Sequence, residues 1–196
     1  MSLPLAHIEA GQIEPIPRKT SVEFPKVSVL VPVLNEKEHL RECLNSILEN
    51  EYKGELEIFV IDGKSNDGSI EIIHEFTRKH KNITLIQNTK RSIPAALNLG
   101  VAHATGEIIA RMDAHATYNH NYIGGCVRLL LETDADAVGG IWQPTGSTTT
   151  SQAIALALRS RYAIGNPKHY FSDRQDYVES VPLGACLLYT SDAADE

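Results

Sequence analysis

Cysteine and tryptophan are scarce in this 196-residue sequence, which has three of the former and one of the latter. The three cysteines, Cys43, Cys126 and Cys186, are scattered and odd in number. That argues against a disulfide scaffold and suits small core residues in a reducing compartment. No apolar run approaches the ~20 residues of a membrane span, and the opening MSLPLAHIEAGQIEPIPRK has neither the charged start nor the apolar centre of a secretory signal. A soluble, cytoplasmic chain is expected, although membrane association of a longer protein is left open. There is no Lys/Arg stripe either: 18 basic residues stand against 25 acidic ones, a net charge of −7, so nucleic acid is not an expected partner. The G-x-G-x-x-G and G-x-x-x-x-G-K-[ST] patterns are both missing, which leaves dinucleotide and P-loop readings without support.

What is present fits one globular α/β domain, at 42% hydrophobic and 22% charged residues. The first 25 residues hold four prolines without periodicity and read as an extended arm. VSVLV (27–31) is a β-branched apolar run typical of a strand covered on both faces. Asn35 is expected to cap a helix carrying Leu40, Cys43, Leu44, Ile47 and Leu48 at helical spacing. The unit repeats with LEIFVI (56–61), the turn DGKSNDGS and a helix with Ile70, Ile73 and Phe76 on one face, Asp67 capping it. ITLI leads to a helix beginning near Pro94, and EIIARM to a helix with Tyr122, Ile123, Cys126, Val127 and Leu130. DAVGGIW (136–142) reads as a fifth strand, SQAIALALRSRYAI as a further helix. This alternation predicts a doubly wound, mostly parallel sheet with helices on both faces.

In such sheets ligands bind beyond the carboxyl ends of the strands. Three acidic clusters are expected there: PVLNE, DGKSNDG and DAH. A nucleotide would approach them with a divalent cation. In ARMDAHATY, Asp113 and His115 can both ligate Mn²⁺ or Mg²⁺, with a diphosphate and water completing the sphere. The competing reading makes Asp113 a turn cap and His115 an incidental loop residue. Asp62 ends its strand where a base or ribose could be read, or else caps its own turn. Asn35 and Glu36 are cap residues or part of the site. Arg91, ahead of a helix N-terminus, is an anion contact or a solvated turn residue.

The segments VSVLVPVLNEKEHLRECLNSI, EIFVIDGKSNDGSIEII, RSIPAALNLGVAHATGEIIARMDAHATY and ADAVGG, in this order and spacing, resemble the signature segments of family-2 glycosyltransferases with the GT-A fold. The similarity runs over about residues 27–185, and DAHATY is most similar to bacterial enzymes of succinoglycan and exopolysaccharide assembly. The resemblance implies metal-assisted, inverting transfer from a nucleotide-diphosphate sugar, UDP-linked by expectation, to a saccharide or lipid-linked acceptor. It implies that Pro32, Asn35 and Glu36 lie along the nucleotide, that Asp62 contacts the uracil, and that Arg91 and Asn98 line the donor pocket. Asp113 matches the first acid of the family's D-x-D motif, and His115 stands in place of the second. That exchange should favour softer ions such as Mn²⁺ and weaken metal binding in acid, because only neutral imidazole ligates. A nucleotidyltransferase would need a Gly-rich basic loop after the first strand, which PVLNEKE is not. A non-catalytic nucleotide-binding fragment and a polyprenol-phosphate sugar transferase stay open.

Family members supply the general base beyond a VPLGA-like segment, here Val181–Ala185. Past it the similarity is lost. The expected division is an arm over 1–25, a GT-A domain over 26–185 with an incomplete acceptor half, and a non-native tail over 186–196 that ends a truncated frame. Nucleotide binding with little or no transfer is the expectation for such a polypeptide. Asp176 and Glu179 are weak candidates for a substitute base.

Overall fold

The computed structural model describes residues 23–141, 143–146, 148–160, 177, 178, 181 and 184–188. β1 (Val27–Val33) and β2 (Leu56–Asp62) lie at the centre of the sheet, which is why both are apolar at consecutive positions and buried on both faces. Their alternate side chains enter two separate cores. Val27, Val29, Val31, Val33, Ile58 and Val60 pack with α1 (Leu40–Leu48), α2 (Ser69–Lys79) and α4 (Tyr122–Glu132). Leu30, Phe59, Ile61 and Ile109 face the other way, against Ala96 of α3 (Ile93–His103).

The remaining strands are β3 (Ile83–Gln87), β4 (Ile108–Arg111), β5 (Ala137–Val138) and β6 (Ala185–Leu187), with α5 (Thr149–Leu158) between the last two. The sheet order is β3-β2-β1-β4-β6-β5. β3, β2, β1 and β4 are parallel, whereas β6 runs antiparallel to both β4 and β5. The chain fills the sheet outward from β1 in one direction, then crosses to β4 on the other side. That reversal leaves a crevice at the carboxyl ends of β1 and β4.

Several elements differ from the sequence expectation. α1 is preceded by His39, not Asn35, because Asn35 takes a left-handed backbone (φ 57°) and its side chain accepts from the distant Asn66 N–H at 2.9 Å. A long-range bond has won over a local cap. Asp67 is likewise not the cap residue of α2: Gly68, with a φ of 105°, holds that position, and Asp67, one residue further out, accepts from Ser69 N–H at 2.9 Å through Oδ1. The fifth strand shrinks to Ala137–Val138, since β6 gives it only Cys186 and Ala185 to pair with. α5 ends at Leu158, and residues 161–164 of the expected helix lie outside the described residues. So do residues 1–22 of the arm and 189–196 of the tail, while Cys186 and Leu187 are paired with Ile109 and Ile108 of β4.

Candidate functional site

Past the end of β4 the chain enters a turn closed by Ala116 N–H to Asp113 O at 3.2 Å, and burial still alternates along it. Ala110, Met112 and Ala114 are each at most 2% exposed, whereas Arg111, Asp113 and His115 keep exposed surface, and Asp113 and His115 both reach one cleft. The turn, not a strand, brings an acid and an imidazole two residues apart to that cleft. Asp113 is held at its backbone: its N–H donates to the Tyr118 hydroxyl at 2.6 Å, and that hydroxyl donates back to the Asp113 carbonyl at 3.3 Å. Burial raises the Tyr118 phenol far above its ordinary range, so it keeps the proton it donates. The Cys43 thiol, 3.5 Å from the same carbonyl, is pushed up to about 12 by burial and by the nearby Asp113 and Glu36 charges. It is a packed hydrogen-bond donor, not a nucleophile.

The Asp113 carboxylate is gripped by Arg111, with Nε 3.0 Å from Oδ1 and Nη2 3.4 Å from Oδ2. His115, 61% exposed, places Nδ1 3.3 Å from Oε1 of Glu36, across from the loop after β1. Pro32, Glu36, Arg91, Asp113 and His115 line one open cleft of about 560 Å³ of empty space. Its other walls include Leu34, Ile61, Ile93 and Ala96, which are apolar.

The loops around this cleft are strained and tightly bonded. Asn35, Lys64 and Arg91 all have positive φ, at 57°, 62° and 53°, and each stands in the loop that follows β1, β2 or β3. Such conformations cost roughly 1–3 kcal/mol each and persist where surrounding bonds over-determine them. Here the bonds come from Asp62 and Asn88. Asp62, 1% exposed, accepts from Lys64 N–H at 2.9 Å and from the N–H and hydroxyl of Ser65. Asn88, also buried, donates to Ser92 O at 2.9 Å and accepts from Lys90 N–H at 3.1 Å.

Of the residues singled out from sequence, Asn35, Asp62 and Asn98 are not among the cleft's lining. Asn35 and Asp62 hold the loops that shape it, and Asn98 is exposed on α3. Asp176 and Glu179 lie outside the described residues. Sequence reasoning missed Arg111, Tyr118 and Asn88. Arg111 could have been found from its two-residue spacing to Asp113; nothing local marks the other two.

Among the described residues no three His, Cys, Asp or Glu side chains form a metal cage. The donor set that is present, one carboxylate and one imidazole lining the same cleft, fits a cation that brings its other ligands with it. The Arg111 guanidinium occupies this carboxylate in the fold.

The family model described as Glycosyl transferase family 2 matches residues 28–195. The chain is 32% identical over 169 residues to glycosyltransferase AglE of Haloferax volcanii, covering 81% of this chain and 55% of the relative. It is 31% identical over 143 residues to the succinoglycan biosynthesis protein ExoA of Rhizobium meliloti, covering 72% and 43% respectively. The chain thus spans about half the length of these curated relatives. Among solved structures it is similar to the mannosyltransferase PcManGT of Pyrobaculum calidifontis in complex with GDP-Man and Mn²⁺, at 33% identity and a TM-score of 0.57, covering 61% of this chain and 36% of that one. A structure of S. aureus TarS with UDP-GlcNAc, at 24% identity and a TM-score of 0.51, shares the fold, over 63% of this chain and 37% of that one.

Proposed function

The chain belongs to glycosyl transferase family 2, and from that premise we propose that its cleft seats a nucleotide-diphosphate sugar, UDP-linked, whose glycosyl group the whole protein transfers to a saccharide or lipid-linked acceptor of the cell envelope or an exopolysaccharide. One observation carries the reading: Glu36, Arg91, Asp113 and His115, from three separate loops, converge on one cleft at the point where the strand order reverses. The relative with GDP-Man and Mn²⁺ and the succinoglycan protein support the donor class and the process.

Asp113 and His115 would hold a divalent cation, Mn²⁺ or Mg²⁺, which when bound offsets charge on the departing diphosphate. The chain's own residues set the conditions. Tyr118 fixes where Asp113 stands, and Glu36 turns the imidazole by bonding Nδ1, which leaves Nε2 free to ligate. Arg91 adds positive charge at the rim, and the apolar wall of Leu34, Ile61 and Ile93 suits a planar base. Transfer by single displacement, with inversion, takes a carboxylate base opposite the leaving group. The three cysteines are free, Cys43 and Cys126 buried, which is consistent with the reducing cytoplasm where such donors are found. No helix among the described residues is long and apolar enough to cross a membrane.

Calorimetric titration of UDP and GDP, with and without Mn²⁺, tests the site. Asp113→Ala should weaken Mn²⁺-dependent nucleotide binding by at least about tenfold, since the cation loses its anionic ligand. Stability without ligand should change by less than about 1 kcal/mol, because Arg111 is exposed enough to turn to water. Nucleotide affinity that is equal in the two proteins would remove Asp113 from the site.

A further inference from the structure

Arg111 stands where an arriving cation has to go. It is the last residue of β4, its backbone N–H bound to Gly184 O at 2.9 Å, so its Cα is fixed and movement belongs to the side chain. Among the described residues, the hydrogen bonds to the Asp113 carboxylate come from Arg111 alone, one to each oxygen. The Arg111 side chain is 30% exposed and that of Asp113 18%, so the arginine can leave towards solvent or a ligand without burying its charge.

The geometry points to Arg111 as a displaceable counterion: it occupies Asp113 in the ligand-free protein and yields it when a divalent cation arrives with a nucleotide diphosphate. The inference rests on the reading of Asp113 as a cation ligand. Its consequence is coupling between metal and nucleotide. A bare cation must break a two-point ion pair and leave a guanidinium unpaired, so it binds weakly. A cation that carries a diphosphate brings the oxygens that give Arg111 a new partner. By linkage, the factor by which nucleotide tightens metal is the factor by which metal tightens nucleotide. Arg111 acts here through Asp113, as a positioning residue for the cation.

The test is calorimetry of Mn²⁺ alone, and of Mn²⁺ at saturating UDP, on the full chain and its Arg111→Met, Arg111→Lys and Lys90→Met variants, with melting temperatures to confirm folding. Arg111→Met should bind Mn²⁺ alone about tenfold more tightly than the parent, with the enhancement by UDP reduced by a similar factor. Arg111→Lys, which keeps the charge but loses the two-point grip, should fall between them. Lys90→Met removes an exposed positive charge beside the cleft, from a residue that does not line it, without releasing Asp113, and should stay within about twofold of the parent for Mn²⁺ alone. The proposal is overturned if Arg111→Met binds bare Mn²⁺ no more tightly than the parent while UDP binding stays Mn²⁺-dependent, or if Lys90→Met matches it. Absence of Mn²⁺-dependent UDP and GDP binding in every protein would instead defeat the site itself, and this inference with it.

Discussion

At the scale of single residues, the cleft depends on side chains that never enter it. Tyr118 touches Asp113 through the backbone and not the carboxylate, yet it fixes where that carboxylate stands. Tyr118→Phe keeps the ring that packs 5.2 Å from Tyr122 and deletes the hydroxyl. The Asp113 N–H is then left without its partner in a half-buried place, which costs about 1–3 kcal/mol. Denaturant titration should show that loss, and Mn²⁺-dependent nucleotide affinity should fall several-fold as Asp113 loosens. A Phe variant with unchanged stability and affinity would reduce Tyr118 to packing. This contact could not be read from sequence, because a tyrosine five residues from an acid has no periodic reason to bond its backbone. The Arg111–Asp113 pair is different: two-residue alternation follows from the end of the strand itself, and Met112 between them is apolar and buried.

At the scale of elements, α3 links the core to the site. Its first turn lends Ile93 and Ala96 to the cleft, and its body lies on β1 and β2 through Gly100. A Cβ at Gly100 would come within 2.7 Å of Leu30 Cδ2 and 3.1 Å of Ile61 Cδ1, both in fully packed side chains. Gly100→Ala gains up to about 1 kcal/mol in helix propensity and loses about 1–3 kcal/mol to overpacking. A lower melting temperature is expected, with weaker nucleotide binding as the first turn lifts from the cleft; a stabilised variant would mean that Leu30 and Ile61 repack freely. The helices and the four parallel strands are legible in the sequence because their signals are local: apolar runs for β1 and β2, helical spacing for α1, α2 and α4. β6 is not legible. It is three residues long, follows a stretch without periodicity, and owes its existence to β4 and β5, which are more than forty residues away in the chain. The same dependence on distant partners explains why the fifth strand is shorter than its apolar run suggests and why Asn35, bonded to Asn66, has the spacing of a helix cap without being one.

At the scale of the whole molecule, the parallel sheet divides its labour between its two edges. The carboxyl edge carries the cleft, and the amino edge is tied together by one carboxylate. Glu57 of β2 accepts from Ser28 Oγ of β1 at 2.5 Å, from Thr105 N–H at 2.7 Å and Oγ1 at 2.8 Å, from Gly106 N–H at 3.2 Å, and pairs with Lys26 at 3.0 Å. It thus joins β1, β2 and the turn that enters β4. Gly106 has no space for a side chain there, since a Cβ would lie 2.6 Å from Ser28 Oγ. Burial pushes the Glu57 carboxyl up, but the bonds from Ser28, Thr105 and Lys26 outweigh it and hold the group at about 2, against an ordinary 4.5. Between those two values the unfolded chain binds a proton that the folded one refuses, so stability rises with pH across that window. The contribution is complete above about 4.5 and disappears as the medium is acidified through about 2. At neutral pH, with solvent screening of this part-exposed group discounted, it contributes about 1–2 kcal/mol. Glu57→Gln should lose most of that at pH 7, and the gap between the two proteins should close as denaturant titrations are taken from pH 5 towards pH 2. Cleft and hub lie at opposite edges of the sheet, so Mn²⁺-dependent nucleotide affinity at pH 7 should be the same in the folded variant as in the parent. A gap that stayed constant from pH 7 to pH 2 would show that the hydrogen bonds matter by their number and not through the charge they hold.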